Sequence, residues 1–216
     1  MPTKYVKVPD EFAPMFEEAE EVVSRYFQEK MEDPTKGIIK IGDDRYVLIR
    51  AESMSIRFID QMSAALGEDA ALNFLYSFAK IIGRNDARDF HEKRGLIDPI
   101  QKLSAGPVHF SFTGWALVDI LPESAPAPDE SYFLMYDHPN TFEADSYLKH
   151  GRKTTRPVCV FSAGYSAGWC SESFGLNLDA REISCRARGD GACRFIMAPA
   201  ERIEEHVRKH SPGGSP

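Results

Sequence analysis

Four residues near the end of the chain have types and spacing suited to holding a metal ion. Cys159, Glu182, Cys185 and Cys193 form the pattern C-x22-E-x2-C-x7-C. Thiolates are strong ligands for zinc, and three of them with one carboxylate complete a tetrahedron with no open position. A closed site of this kind staples a fold and leaves no place for a reacting molecule. The spacing alone leaves a second reading open: reduced thiols packed as small apolar groups, with Glu182 on the surface. Cys170 lies outside the pattern and reads as an ordinary core residue.

These ligands need two elements to position them. Pro157 suits the first turn of a helix predicted over 158–174, and Gly175 suits its end. Cys159 then falls at the helix N-terminus, where the dipole favours a thiolate. Arg181 to Arg186 and Cys193 to Met197 read as the arms of a hairpin with Arg188-Gly189-Asp190-Gly191 at its tip. The metal would tie the long helix to this last hairpin.

A second constellation is aromatic. Phe161, Tyr165 and Trp169 recur every four residues on the predicted helix, interleaved with Ala163, Gly164, Ala167 and Gly168. Phe110, Phe112 and Trp115 fall on a stretch, Val108 to Ile120, whose aromatic and β-branched content predicts a strand. Phe133 and Tyr136 fall on the next candidate strand, 132–136. The cluster is either an ordinary core or the wall of a ligand pocket. A pocket needs a few polar groups to orient its ligand, and His109, His138, Tyr136 and Tyr165 are the candidates.

Catalysis finds little support. The chain has no phosphate-binding Gly-rich loop with its Lys, and no G-x-G-x-x-G between a strand and a helix. Gly164-Tyr165-Ser166-Ala167-Gly168 lacks the strand-turn-helix setting of a nucleophile elbow, because helical periodicity runs through it. The chain is expected not to be an enzyme. A net charge of -7 without a basic run argues against direct nucleic-acid binding. No apolar run approaches the ~18–20 residues of a membrane helix. Met1-Pro2-Thr3-Lys4-Tyr5 lacks the apolar core of a secretory signal, so the expected location is the cytoplasm, where cysteines favour metals over disulfides.

The rest of the chain reads as a mixed set of elements. Phe12, Met15, Phe16, Ala19, Val22, Val23, Tyr26 and Phe27 form a helical stripe. It packs either on its own domain or on a second subunit, and Asp33-Pro34 ends the helix. A hairpin follows over 37–49, then a helix from Ser53 or Ser55 to Leu66. Asp69 to His91 predicts a longer helix, apolar almost all round near Leu72 to Ile82, which implies deep burial. A short helix over 97–103 is stopped by Gly106-Pro107. Asn140 or Thr141 caps a helix to Lys149. The last helix spans 200–210, followed by a Gly/Ser/Pro tail.

Two blocks carry a family resemblance. Cys159-Val160-Phe161-Ser162-Ala163-Gly164-Tyr165-Ser166-Ala167-Gly168, and then Glu182 to Phe195 with its Cys185-Arg186-Ala187-Arg188-Gly189-Asp190-Gly191-Ala192-Cys193 core, resemble the 4-vinyl reductase domain. That domain is also the sensory part of XylR/DmpR/MopR-type activators of aromatic catabolism. The resemblance covers about residues 37 to 198. It implies an α+β fold, an antiparallel sheet with packed helices like that of TRAPP subunits, with a zinc-stapled C-terminal hairpin and a homodimer. In phenol-binding members a His after a Gly-Pro pair and a Trp before the short helix hold the phenol hydroxyl. Here Phe110 falls at the His position, one step after His109, and His138 falls at the Trp position.

The expected organisation is a dimerisation segment over 1–36, a ligand-binding domain over 37–198, and a connector helix with tail over 199–216. The expected function is a zinc-stabilised cytoplasmic sensor. It binds a small hydrophobic or aromatic ligand through Phe110, Phe112, Trp115, Phe133, Tyr136, His138, Phe161, Tyr165 and Trp169, and signals to an output module. The alternatives are a tetrapyrrole-binding protein of bacteriochlorophyll biosynthesis and a TRAPP-like assembly subunit.

Overall fold

The computed structural model describes residues 3–211. The expected tail therefore lies outside the described residues from Pro212 onward. Two antiparallel sheets and seven α-helices make up the described chain. Helix α1 (Ala13–Gln28) leads into a small sheet of β1 (Lys30–Asp33), β2 (Ile38–Ile41) and β3 (Asp44–Tyr46), in the order β1-β2-β3. A turn of π-helix, Ser53–Arg57, runs directly into α2 (Phe58–Leu66). Next come α3 (Glu68–Arg94) and α4 (Pro99–Phe112). The main sheet is built from β4 (Ala116–Ile120), β5 (Leu134–Thr141), β6 (Leu178–Ser184) and β7 (Cys193–Pro199), in the order β4-β5-β7-β6. Between its strands lie α5 (Phe142–Lys149) and α6 (Val160–Phe174), and α7 (Ile203–His210) closes the described chain. This is the expected α+β architecture.

The α1 stripe of Phe16, Ala19, Val23 and Tyr26 is buried, and the helix lies along α4 of the same chain. The helix also ends before the expected Asp33-Pro34, and β1 takes the last residues to pair with β2.

The largest departure concerns residues 99–120. The expected strand from Val108 is the second half of α4, and only Ala116–Ile120 is extended. Asp98 caps the helix by accepting from Ile100 N and Gln101 N at 2.9 and 3.1 Å. Gly106-Pro107 does not stop it. Helical geometry puts Leu103, Gly106, Pro107 and Phe110 on one face, three or four residues apart. Burial of that face overrides the strand preference of the individual residues. In the turn that Pro107 loosens, Trp169 Nε1 donates to Lys102 O at 2.9 Å.

Helices α3 and α6 cross at backbone contact. A Cβ on Gly168 would lie 2.1 Å from Lys80 O, and one on Gly83 would lie 2.1 Å from Tyr165 O. The small residues of α6 therefore serve close approach. They also explain a second departure: α3 buries Leu75, Ala79, Gly83 and Ala87 against α6, while Phe74, Phe78 and Ile81 remain 42–60% exposed instead of buried all round.

Candidate metal centre and adjoining cavity

The expected metal ligands converge. One atom each from Cys159, Glu182, Cys185 and Cys193 lies within 4.8 Å of all the others. Cys159 Sγ and Cys193 Sγ are 3.8 Å apart, the separation set by a tetrahedron with ~2.3 Å metal–sulfur bonds, ~3.8 Å. Glu182 and Cys185 sit three apart, which on a regular strand would send their side chains to opposite faces. A register shift between Glu182 and Ser184 where β6 meets β7 corrects this, the usual work of a bulge. Cys159 is the N-cap residue of α6, as expected.

The surroundings hold these groups ready for a cation. Glu182 Oε2 accepts from Cys159 N at 2.8 Å, and its Oε1 is buried with no hydrogen-bond partner. Arg186 N donates to Cys193 Sγ at 3.4 Å. The hairpin tip is locked by Asp190, whose Oδ2 accepts from Cys185 N at 2.7 Å and from Arg188 Nε at 2.8 Å. Burial pushes Glu182 well above the usual carboxylate range and the Cys159 thiol well above its own. Cys185 is lowered because the thiols of Cys159 and Cys193 donate to it. Among the described residues, no Lys or Arg side chain bonds to any of the four groups. A bound metal ion fits the donor set, the sulfur spacing and the orphaned carboxylate oxygen.

Two turns further along α6 a cavity begins, about 40 Å³ in volume, more than the ~10–15 Å³ that one water requires. Its walls come from α4 (Leu103, Gly106, Pro107, Phe110), β4 (Val118, Ile120), β5 (Leu134, Tyr136), α6 (Tyr165, Ser166, Trp169, Cys170) and Met197 of β7. Tyr165 Oη donates to Asp86 Oδ2 at 2.8 Å, so this hydroxyl is already engaged. The Tyr136 ring stacks on Phe195 at 5.3 Å, held by the cross-strand pairing of the two residues.

Of the nine expected ligand contacts, Phe110, Tyr136, Tyr165 and Trp169 line this cavity and the others do not. Phe112 stacks on Phe27, and Phe133 lies against His206 and His210 of α7. Phe161 packs against Phe78 and Trp115, and Trp115 against Phe110 and Tyr165. His138 is fully buried among Phe110, Tyr136 and Phe195, with neither ring nitrogen hydrogen-bonded, and burial lowers its pKa to about 3. His109 is likewise kept neutral by burial, at about 3, and its ring meets Phe27, Phe90 and Trp169. It points away from the cavity because one step on a helix turns the side chain by about 100°, not because a strand alternates. Leu103, Gly106 and Pro107 are wall residues that sequence reasoning misses. Their helical spacing with Phe110 is present in the chain, but a Gly-Pro pair reads as a break. Ser166 and Cys170 share the Tyr165/Trp169 face by the same periodicity.

One further buried acid escapes a sequence reading. Glu143 Oε1 accepts from Phe161 N at 2.8 Å and Oε2 from Ser162 N at 3.2 Å, so α5 caps the start of α6. Burial raises its pKa to about 8.

Comparison with known proteins agrees with the family resemblance. Residues 139–199 match the 4-vinyl reductase domain, and residues 29–123 match the family described as activator of aromatic catabolism. The chain is related to the phenol regulator MopR of Acinetobacter guillouiae, with 24% identity over 183 residues, 83% of this chain and 32% of that protein. It therefore spans about a third of that relative. The crystal structure of the phenol-responsive sensory domain of the transcription activator PoxR with phenol superposes with a TM-score of 0.73 at 21% identity, covering 89% of this chain and 96% of that one. At that identity the likeness establishes the shared fold.

Proposed function

We propose that the chain is the ligand-sensing part of a regulator. Zinc held by Cys159, Glu182, Cys185 and Cys193 locks the start of α6, and a small hydrophobic or aromatic ligand occupies the cavity beside the same helix. The observation that carries this reading is the cavity itself: it is enclosed by α4, α6 and the main sheet and lined almost wholly by apolar groups, as small-molecule sites are. The metal corner and the cavity share one rod, so a ligand that moves α6 works against a fixed end. Zinc suits the set because it favours four-coordinate thiolate sites and supplies folding free energy when bound. A structural ion of this kind calls for no reaction, which agrees with a non-enzymatic role.

The cavity is small for a tetrapyrrole, which argues for the sensor over the pigment-binding alternative. Signalling would pass through a homodimer to an output module in the cytoplasm. The segment 1–36 and the sheet it joins would carry the dimer contact. Val47, Leu48 and Ile49, 56–79% exposed after β3, are the apolar surface available to it. Helix α7 and the residues after it would lead to the output.

The test is calorimetric titration of the protein with toluene and phenol, beside Val118→Phe, which fills the cavity. Saturable binding by the wild type and none by the variant supports the reading. A wild type that binds neither compound overturns it. Sedimentation of Leu48→Glu tests the dimer surface, and a variant that remains dimeric rejects it.

A further inference from the structure

One polar atom in the cavity wall has no role in the folded chain. Tyr136 is 3% exposed, lines the cavity, and its hydroxyl has no hydrogen-bond partner. Folded proteins rarely leave a buried hydroxyl unpaired, because it loses its bonds to water and gains nothing in return. The neighbouring groups do not relieve it. Ser166 pulls the Tyr136 pKa downward, but burial dominates and keeps the hydroxyl protonated, well above the ordinary tyrosine range. The Tyr165 hydroxyl is engaged with Asp86. The remaining wall at this level is Val118, Ile120 and Leu134.

The character of the missing partner follows from what the wall offers. Tyr136, Ser166 and Cys170 present O–H or S–H hydrogens. Among the described residues, no carboxylate and no histidine lines the cavity to accept a hydrogen, and no Lys or Arg lines it to balance an anion. An ionised ligand would be buried without a counter-charge. A neutral ligand that brings an acceptor oxygen would satisfy the hydroxyl and leave the rest of its surface on apolar side chains.

We propose that Tyr136 is the specificity-determining anchor of the cavity, and that its ligand is an uncharged single-ring carbonyl compound, an aromatic ketone or aldehyde, whose oxygen accepts from Tyr136 Oη. This rests on the sensor reading above and adds the polar contact that selects within it. The Tyr136 ring is held by Phe195, so Tyr136→Phe removes the hydroxyl and keeps the stacking.

The experiment titrates wild type and Tyr136→Phe with acetophenone, toluene, phenol and benzoate. Acetophenone should bind the wild type about tenfold more tightly than toluene, a difference that one well-placed hydrogen bond supplies. Benzoate should not bind. Tyr136→Phe should bring acetophenone down to the affinity of toluene, leave toluene unchanged, and melt no lower without ligand. The carbonyl stretch of bound acetophenone should lie at lower frequency in the wild type than in the variant. If toluene binds but acetophenone gains nothing, or its advantage survives in Tyr136→Phe, the anchor is refuted and the sensor reading stands. A phenol preference over acetophenone also refutes the anchor. If none of the four compounds binds the wild type, both readings fall together.

Discussion

The metal corner and the cavity meet on α6 and use opposite chemistry. At the corner, polar atoms from three short segments converge on one point, and neighbouring N–H groups tie Glu182, Cys185 and Cys193 in place. In the cavity, five elements contribute mostly hydrocarbon, and the polar group left over is the Tyr136 hydroxyl. The corner is specified by the identity of a few ligands and should fail completely when one is lost. The cavity is specified by shape, and should fail by degrees. The contrast also separates stability from selectivity. A closed metal site supplies folding free energy, whereas an unfilled cavity with an unpaired hydroxyl costs some of it.

The largest effect expected is at the corner. Cys185→Ser should release the metal and lower the melting temperature by well over ~10 °C, since structural zinc contributes much of the folding free energy of small metal-stapled units. Metal analysis by mass spectrometry alongside a thermal melt checks it. A variant that loses its metal but melts normally would remove the staple from the comparison.

Next comes the crossing that holds α6 against α3. Gly168→Ala places a methyl where only 2.1 Å separates it from Lys80 O, and should cost about 3 kcal/mol by forcing the helices apart. Denaturant unfolding measures it. A neutral result would mean that the crossing relaxes freely and cannot transmit ligand occupancy along α6.

Acid should act on both regions. His109 is held neutral by burial, its pKa lowered from 6.5 to about 3. Its contribution to stability is therefore complete above pH 6.5 and falls away as pH drops toward 3, because the unfolded chain takes up the proton first. Protonation of thiolates also weakens metal binding in acid. His109→Phe should flatten part of the stability–pH curve and leave the metal-dependent part. A curve unchanged by the substitution would assign the whole acid response to the corner.

The smallest effect is Tyr165→Phe. It removes the donor to Asp86 and should cost about 1 kcal/mol, with toluene affinity almost unchanged, because the hydroxyl is engaged outside the cavity. A large loss of toluene affinity would show that the Tyr165–Asp86 link shapes the pocket.

The two regions also differ in how far the linear chain reveals them. The corner is legible because its ligands are chemically distinctive and three of them lie within one hairpin. The one detail missing is the bulge that turns Glu182 and Cys185 to the same side. The cavity is half legible. Phe110, Tyr136, Tyr165 and Trp169 stand out as aromatic, while Leu103, Gly106 and Pro107 look ordinary until α4 is known to run through Gly106-Pro107. Local preference favours a strand there, and burial of one helical face against α6 and the sheet outweighs it. Phe74, Phe78 and Ile81 mislead in the opposite way: their hydrophobicity implies burial, but the crossing with α6 takes only the small-residue face of α3.

Residue type and short-range periodicity were enough to specify the metal donor set, the helix that begins at Cys159, the hairpin that closes the site, and the mixed α+β class. A linear chain displays both of those signals directly. Long-range packing settled which aromatic rings became wall and which became core, where α4 ends, and that Tyr136 is left with a free hydroxyl. Those outcomes depend on which faces meet across the fold, and on hydrogen bonds such as Tyr165 to Asp86 that join residues 79 positions apart.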